Sequence, residues 1–99
     1  MRMHNRETLT VRGELNPSSN YFDKVIQLTK SYCIEKSEYK VLIYDLRNLI
    51  GTEKSIIQVV SNNKEFISSL AEKVKKIDLT KKIEVSGHVV DLDNPHSHN

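Results

Sequence analysis

The chain has 99 residues, 37% of them apolar and 28% charged, which is enough apolar material for one hydrophobic core and too little for two. Its single cysteine excludes an internal disulfide, and no apolar run approaches the roughly 20 residues that span a bilayer. A balanced formal charge of +2 does not favour nucleic acid as a partner. The first six residues lack the apolar stretch of a secretory signal, so we expect a cytoplasmic protein without membrane contacts.

The first third of the chain predicts a strand followed by a helix. Leu9 and Val11 alternate with polar neighbours in residues 8–15, as in a half-buried strand. Residues 16–20 form a turn cluster of Asn, Pro and Ser, which also start helices. Apolar residues then recur at spacings of three and four over residues 21–35, which predicts a helix with one apolar face.

The most apolar stretch, residues 41–46, predicts the central strand of the sheet, because it shows the weak alternation of a strand covered on both faces. After a turn, Thr52 is suited to cap a second helix, with Glu53 beside the positive end of the helix dipole. An apolar stripe over residues 56–74 supports this helix. The Ser-Asn-Asn sequence at 61–63 leaves open whether there is one long helix or two short ones.

The last part of the chain predicts a third strand over residues 82–92, followed by a polar tail at 93–99. The predicted order is therefore β-α-β-α-β. Such alternation is typical of an α/β fold in which helical crossovers join neighbouring parallel strands. We expect one α/β domain over residues 6–92, with a mixed or parallel sheet and helices packed against it.

The turn between the predicted central strand and second helix is the candidate site, because ligands of open α/β sheets bind beyond the carboxyl ends of the strands. Thr52 and Ser55 are the candidate phosphoacceptors at the predicted helix start, with plain helix capping as the alternative. Asp45 and Arg47 point to one side and either pair with each other or bind a ligand. The candidate partner-binding residues are Asp45, Arg47, Gly51, Glu53 and Lys54.

No pattern in the sequence predicts catalysis or metal binding. His88, His96 and His98 lack the ligand spacing of a structural metal site. Cys33 falls on the apolar face of the first predicted helix, where a buried thiol is more common than a nucleophile. We therefore expect a protein that is not an enzyme and uses neither metal nor cofactor.

Residues 41–52, Val-Leu-Ile-Tyr-Asp-Leu-Arg-Asn-Leu-Ile-Gly-Thr, resemble the core of STAS domains, in which an apolar strand ending in Asp-Leu leads to an Asp-Ser-Ser-Gly segment that opens a helix. Thr52 resembles the phosphorylatable hydroxyl of that segment. A second likeness, to the small STAS-like phosphoproteins of bacterial biofilm regulation, lies in Gly-Glu-Leu-Asn-Pro at 13–17 leading to Tyr-Phe at 21–22. The resemblance implies a STAS-like domain that switches partners when its loop hydroxyl is phosphorylated, as in an anti-sigma factor antagonist.

Two functional hypotheses follow. The first is a non-enzymatic signalling or regulatory module that binds a protein partner, such as a kinase, a phosphatase or an anti-sigma-type regulator, and is switched by phosphorylation near the start of the second helix. The alternative is a structural or assembly protein that forms a homo-oligomer through a sheet edge or an apolar helix face.

Overall fold

The structure is a computed structural model that describes residues 6–14, 20–47 and 54–92. Within these residues the chain forms five strands and two helices. In chain order they are β1 (Glu7–Glu14), α1 (Tyr21–Glu35), β2 (Leu42–Asp45), β3 (Lys54–Ser61), α2 (Lys64–Lys75), β4 (Lys82–Val85) and β5 (His88–Val89). None of the described helices is long and apolar enough to cross a membrane.

The five strands form one antiparallel sheet in the order β2-β3-β1-β4-β5. The predicted mixed or parallel sheet is therefore wrong. Each helix connects two strands that are not neighbours, since α1 joins β1 to β2 and α2 joins β3 to β4. The strand inserted between each such pair runs in the opposite direction, which gives the split β-α-β arrangement with every neighbouring pair antiparallel.

The second predicted helix is also placed wrongly. Residues 54–61 form β3, which lies in the middle of the sheet, and α2 begins only at Lys64. The physical reason is the density of β-branched residues, Ile56, Ile57, Val59 and Val60, whose restricted side chains favour a strand. The Ser-Asn-Asn sequence that left the helix division open marks the boundary between strand and helix.

Asn63 starts α2. Its side-chain Oδ1 accepts a hydrogen bond from the backbone N–H of Phe66 at 3.0 Å, which satisfies one of the amides that a helix start leaves unpaired. Thr52, predicted to be the cap, lies outside the described residues. It is followed two residues later by a strand, so the second helix does not begin there.

Of the remaining elements, the first strand and first helix are predicted correctly and the last strand is not. The first helix is confirmed with the predicted bounds, Tyr21–Glu35, and the first strand is confirmed within one residue. The single strand predicted over 82–92 is instead a hairpin of β4 and β5. Its two-residue turn holds Ser86 and Gly87 at φ values of 49° and 88°, the left-handed region that a type I′ hairpin turn requires.

The core lies between the two helices and one face of the sheet. Alternate residues of β1, β3 and β4 point toward the helices, and the rings of Tyr32 and Phe66 stack 5.1 Å apart where α1 meets α2. In the described part of the chain no helix covers the opposite face of the sheet, which we call the outer face. The buried apolar residues of the strands are Leu9, Val11, Ile57, Val59 and Ile83.

Candidate protein-binding edge

The strand predicted to be central, residues 41–46, contains β2, which is the outermost strand on one side of the sheet. It pairs with β3 alone among the described residues. Its apolar character has two sources. Ile43 packs against the core, whereas Leu42 and Tyr44 point to the outer face and are 49% and 45% exposed.

The backbone of β2 presents hydrogen-bonding groups on the side away from β3, which we call the β2 edge. On the side that faces β3, the N–H of Leu46 donates to the carbonyl of Ile56 in β3 at 2.9 Å. In an antiparallel ladder such pairs recur at every second residue, so Leu42 and Tyr44 also bond to β3. The N–H and C=O groups of Ile43 and its alternate neighbours therefore point away from the sheet, along the β2 edge.

A groove of about 410 Å³ lies between α1 and β2, and we call it the α1–β2 groove. Its apolar part is formed by Ile26 and Ile43, one from each element. Charged side chains surround this apolar part. The full lining is Asp23, Ile26, Gln27, Lys30, Ile43, Asp45 and Arg47.

One end of the groove is held by a network of two carboxylates around one guanidinium. Arg47 donates from Nε and Nη2 to the two oxygens of Asp45, at 2.9 and 2.7 Å, and from Nη1 to Asp23 Oδ1 at 2.7 Å. These bonds from Arg47 lower the pKa of Asp45 below its usual value, although partial burial opposes them. The two carboxylates in turn raise the pKa of Arg47.

The described residues of the predicted site lie at the facing ends of two neighbouring strands, β2 and β3, because Leu46, next to Arg47, bonds to Ile56, next to Ser55. Asp45 and Arg47 pair with each other, one of the two outcomes that their spacing predicts. Gly51, Thr52 and Glu53 lie outside the described residues. Lys54 and Ser55 are the first residues of β3, opposite Glu14 and Gly13 of β1, and not at a helix start.

Sequence reasoning missed Asp23, Ile26, Lys30 and the open edge of β2. Asp23 meets Arg47 because the fold places α1 beside β2, across 24 positions of sequence. The sequence signal that could have revealed the edge was the run of β-branched residues in β3. A strand in that position can insert between β1 and β2 and so place β2 at the edge of the sheet.

Among the described residues, the other reactive side chains that the sequence singled out are Cys33 and His88, and His96 and His98 lie outside them. Burial, followed by the nearby Glu38 carboxylate, raises the pKa of the Cys33 thiol, which disfavours the nucleophilic thiolate. Across residues 6–14, 20–47 and 54–92, no group of three or more His, Cys, Asp or Glu side chains is arranged to hold a metal ion. His88 lies exposed on β5.

No known protein family and no curated protein matches this chain. Among solved structures, the de novo designed protein Foldit4 is similar to it, with 19% identity and a TM-score of 0.54 over 81% of this chain and 90% of the designed one. At this identity the similarity shows the fold alone. The STAS resemblance of residues 41–52 thus stays a prediction.

Proposed function

We propose that the protein is a non-catalytic module that binds an extended segment of a protein partner along the β2 edge. The observation that carries the proposal is an edge strand whose outward backbone groups have no strand partner among the described residues, together with two exposed apolar side chains, Leu42 and Tyr44. Native proteins usually shield such edges with charges, proline or a covering element, because an open apolar edge pairs with other chains. An edge left open in this way is suited to strand addition.

In the proposed binding mode, main-chain hydrogen bonds supply affinity and side-chain contacts in the groove supply specificity. A segment that adds to β2 exchanges main-chain hydrogen bonds with Ile43 and its alternate neighbours. Every second side chain of that segment then points toward the helices and enters the α1–β2 groove, where Ile26 and Ile43 favour an apolar group. The charged ends of the groove, Asp23 with Arg47 at one end and Lys30 at the other, select the flanking residues by charge.

The regulatory part of the proposal rests on the STAS resemblance. Thr52 remains the candidate phosphoacceptor, in the connection that leaves β2. No helix start supports this role, because the next described element is a strand. Ser55 is the weaker candidate, since its backbone is paired with Gly13 inside the sheet. Incubation with host lysate and ATP, followed by mass spectrometry, tests whether either hydroxyl is phosphorylated. If Thr52 and Ser55 both stay unmodified, the proposed phosphorylation switch is wrong.

Photo-crosslinking in the producing cells tests the binding edge. Leu42 is replaced by a photoreactive phenylalanine derivative, and Val89 by the same residue as a matched control. Val89 also points to the outer face, is 60% exposed and lies on β5 at the opposite end of the sheet. The proposal predicts an adduct at position 42 that maps to one short segment of a partner and is lost when Tyr44→Lys is added. No adduct at position 42, or equal adducts at both positions, would overturn it.

A further inference from the structure

We infer that the partner of the β2 edge is a second copy of this chain, paired strand to strand about a two-fold axis that passes beside Ile43. The inference rests on the proposed function, because it names the occupant of the same edge. Two features of the molecule support it, the register of β2 and the charges of α1. Both are self-complementary about the same axis.

The register of β2 permits symmetrical antiparallel pairing. When Ile43 lies opposite Ile43 of the second copy, each donates its N–H to the other's carbonyl, because both groups of Ile43 point along the β2 edge. Val41 then lies opposite Asp45 of the second copy, in the same hydrogen-bonded class. Every outward-pointing main-chain group of this stretch gains a partner, and the two sheets become one continuous sheet.

The outer-face side chains match in the same register. Leu42 of one copy lies opposite Tyr44 of the other, and the pair occurs twice. Aromatic and aliphatic residues on opposite positions of neighbouring strands stabilise a sheet. This pairing brings the two exposed apolar side chains of β2 into contact with those of the second copy.

The charges of α1 are complementary about the same axis. Asp23 and Lys30 are seven residues apart, close to two helical turns, and both line the α1–β2 groove. A two-fold axis perpendicular to the sheet brings α1 beside α1 of the second copy in antiparallel orientation. Asp23 then faces Lys30 of the second copy, and Lys30 faces its Asp23.

The two features share one centre. The midpoint of Asp23 and Lys30 falls between Ile26 and Gln27, and Ile26 lies in the same groove as Ile43, the centre of the strand pairing. Asp23 bonds to Arg47 beyond the end of β2, so α1 runs antiparallel to β2 and Lys30 lies toward the start of the strand.

A pair of charge-reversal variants tests the inference by sedimentation velocity from micromolar to millimolar protein. Asp23→Lys alone sets a second ammonium group against Lys30 of the other copy, and Lys30→Asp alone sets two carboxylates together. Each variant should therefore dimerise roughly tenfold or more weakly than the wild type. An equimolar mixture restores both opposite-charge contacts between the copies, so it should form a heterodimer that is tighter than either variant's homodimer. Circular dichroism verifies that each variant is folded.

A second pair of variants tests the pairing of β2 strands directly, and it remains informative even if the Asp23→Lys variant does not fold. Tyr44→Lys places an ammonium beside Leu42 of the second copy and should yield monomers. Val89→Lys, an equivalent change on the outer face of β5, should leave the dimer intact.

The outcomes separate the inference from the proposed function. A wild-type chain that stays monomeric up to millimolar protein overturns the second copy as partner, and so does a dimer that Tyr44→Lys leaves intact or a charge-reversed mixture that does not associate. If position 42 still crosslinks to a different protein, the proposed function survives. If it crosslinks to nothing, both fail.

Discussion

Arg47 Nη1 lies 2.7 Å from Asp23 Oδ1, and this contact joins the first turn of α1 to the residue that follows β2 by two positions. The same guanidinium donates to both oxygens of Asp45 at the end of the strand. One side chain thus fixes the separation of the two elements that form the α1–β2 groove. Both this network and the start of α2 can be tested by substitution.

Arg47→Met should lower the free energy of unfolding by about 1 kcal/mol or less, because the pairs are partly exposed and solvent weakens them. Methionine keeps an apolar stem while removing the donors. Urea denaturation measures the change. Arg12→Met is the comparison, and its effect should be smaller because the Arg12 ion pair with Glu84 is longer, at 3.3 Å. Equal losses would contradict the role assigned to Arg47.

The pH dependence of stability should include a contribution from Asp45. Its pKa in the folded protein is lowered, so its stabilising effect is fully present above the unfolded value of about 3.9 and is lost as pH falls through the folded pKa. Asp45→Asn should therefore make stability fall less steeply below about pH 4. Since the side chain is 37% exposed, we expect a difference of about 0.5 kcal/mol or less.

A double-mutant cycle isolates that contribution. In an Arg47→Met background, Asp45→Asn should change the acid limb very little, because the bonds that lower the pKa of Asp45 come from Arg47. Thermal denaturation at a series of acidic pH values measures both backgrounds. An undiminished effect of Asp45→Asn without Arg47 would show that another group lowers this pKa.

Asn63→Ala should cost about 1 kcal/mol of stability, because it removes the side-chain oxygen that caps α2. It also removes a 2.7 Å hydrogen bond from Asn63 Nδ2 to Glu38. Asn63→Ser keeps a capping oxygen and should recover most of the loss. Asn62→Ala changes an exposed neighbour and should be close to neutral. If Asn63→Ser is as unstable as Asn63→Ala, the cap is not what stabilises this helix.

The sequence predicts elements well where one periodicity holds over the whole element. The helix at Tyr21–Glu35 has such a pattern, and its bounds are confirmed. The stripe over 56–74 misled because apolar residues of β3 continue, in phase with a helical period, into those of α2. There the β-branched residues were the better guide, since side-chain stiffness favours strands wherever packing allows.

The fold and the edge depend on β3 in a way that local patterns do not show. Without β3, two strands joined by a helix suggest parallel neighbours, and an apolar run such as residues 41–46 suggests a strand covered on both faces. Because β3 is inserted between β1 and β2, the sheet is antiparallel and β2 is an edge strand. The two-residue spacing of Asp45 and Arg47 predicted their pairing as one of two outcomes. The Asp23 contact is tertiary and left no local signal.

Amide hydrogen exchange of β2, followed residue by residue by NMR at low and high protein concentration, tests the open edge most directly. In dilute protein we expect slow exchange at Leu42 and Tyr44, whose N–H groups bond to β3, and fast exchange at Ile43, whose N–H points along the β2 edge. As the concentration rises, exchange at Ile43 should slow while that of Val89 on β5 stays unchanged. Protection of Ile43 equal to that of Tyr44 in dilute protein would contradict the account, because β2 would then be covered on both sides within one chain.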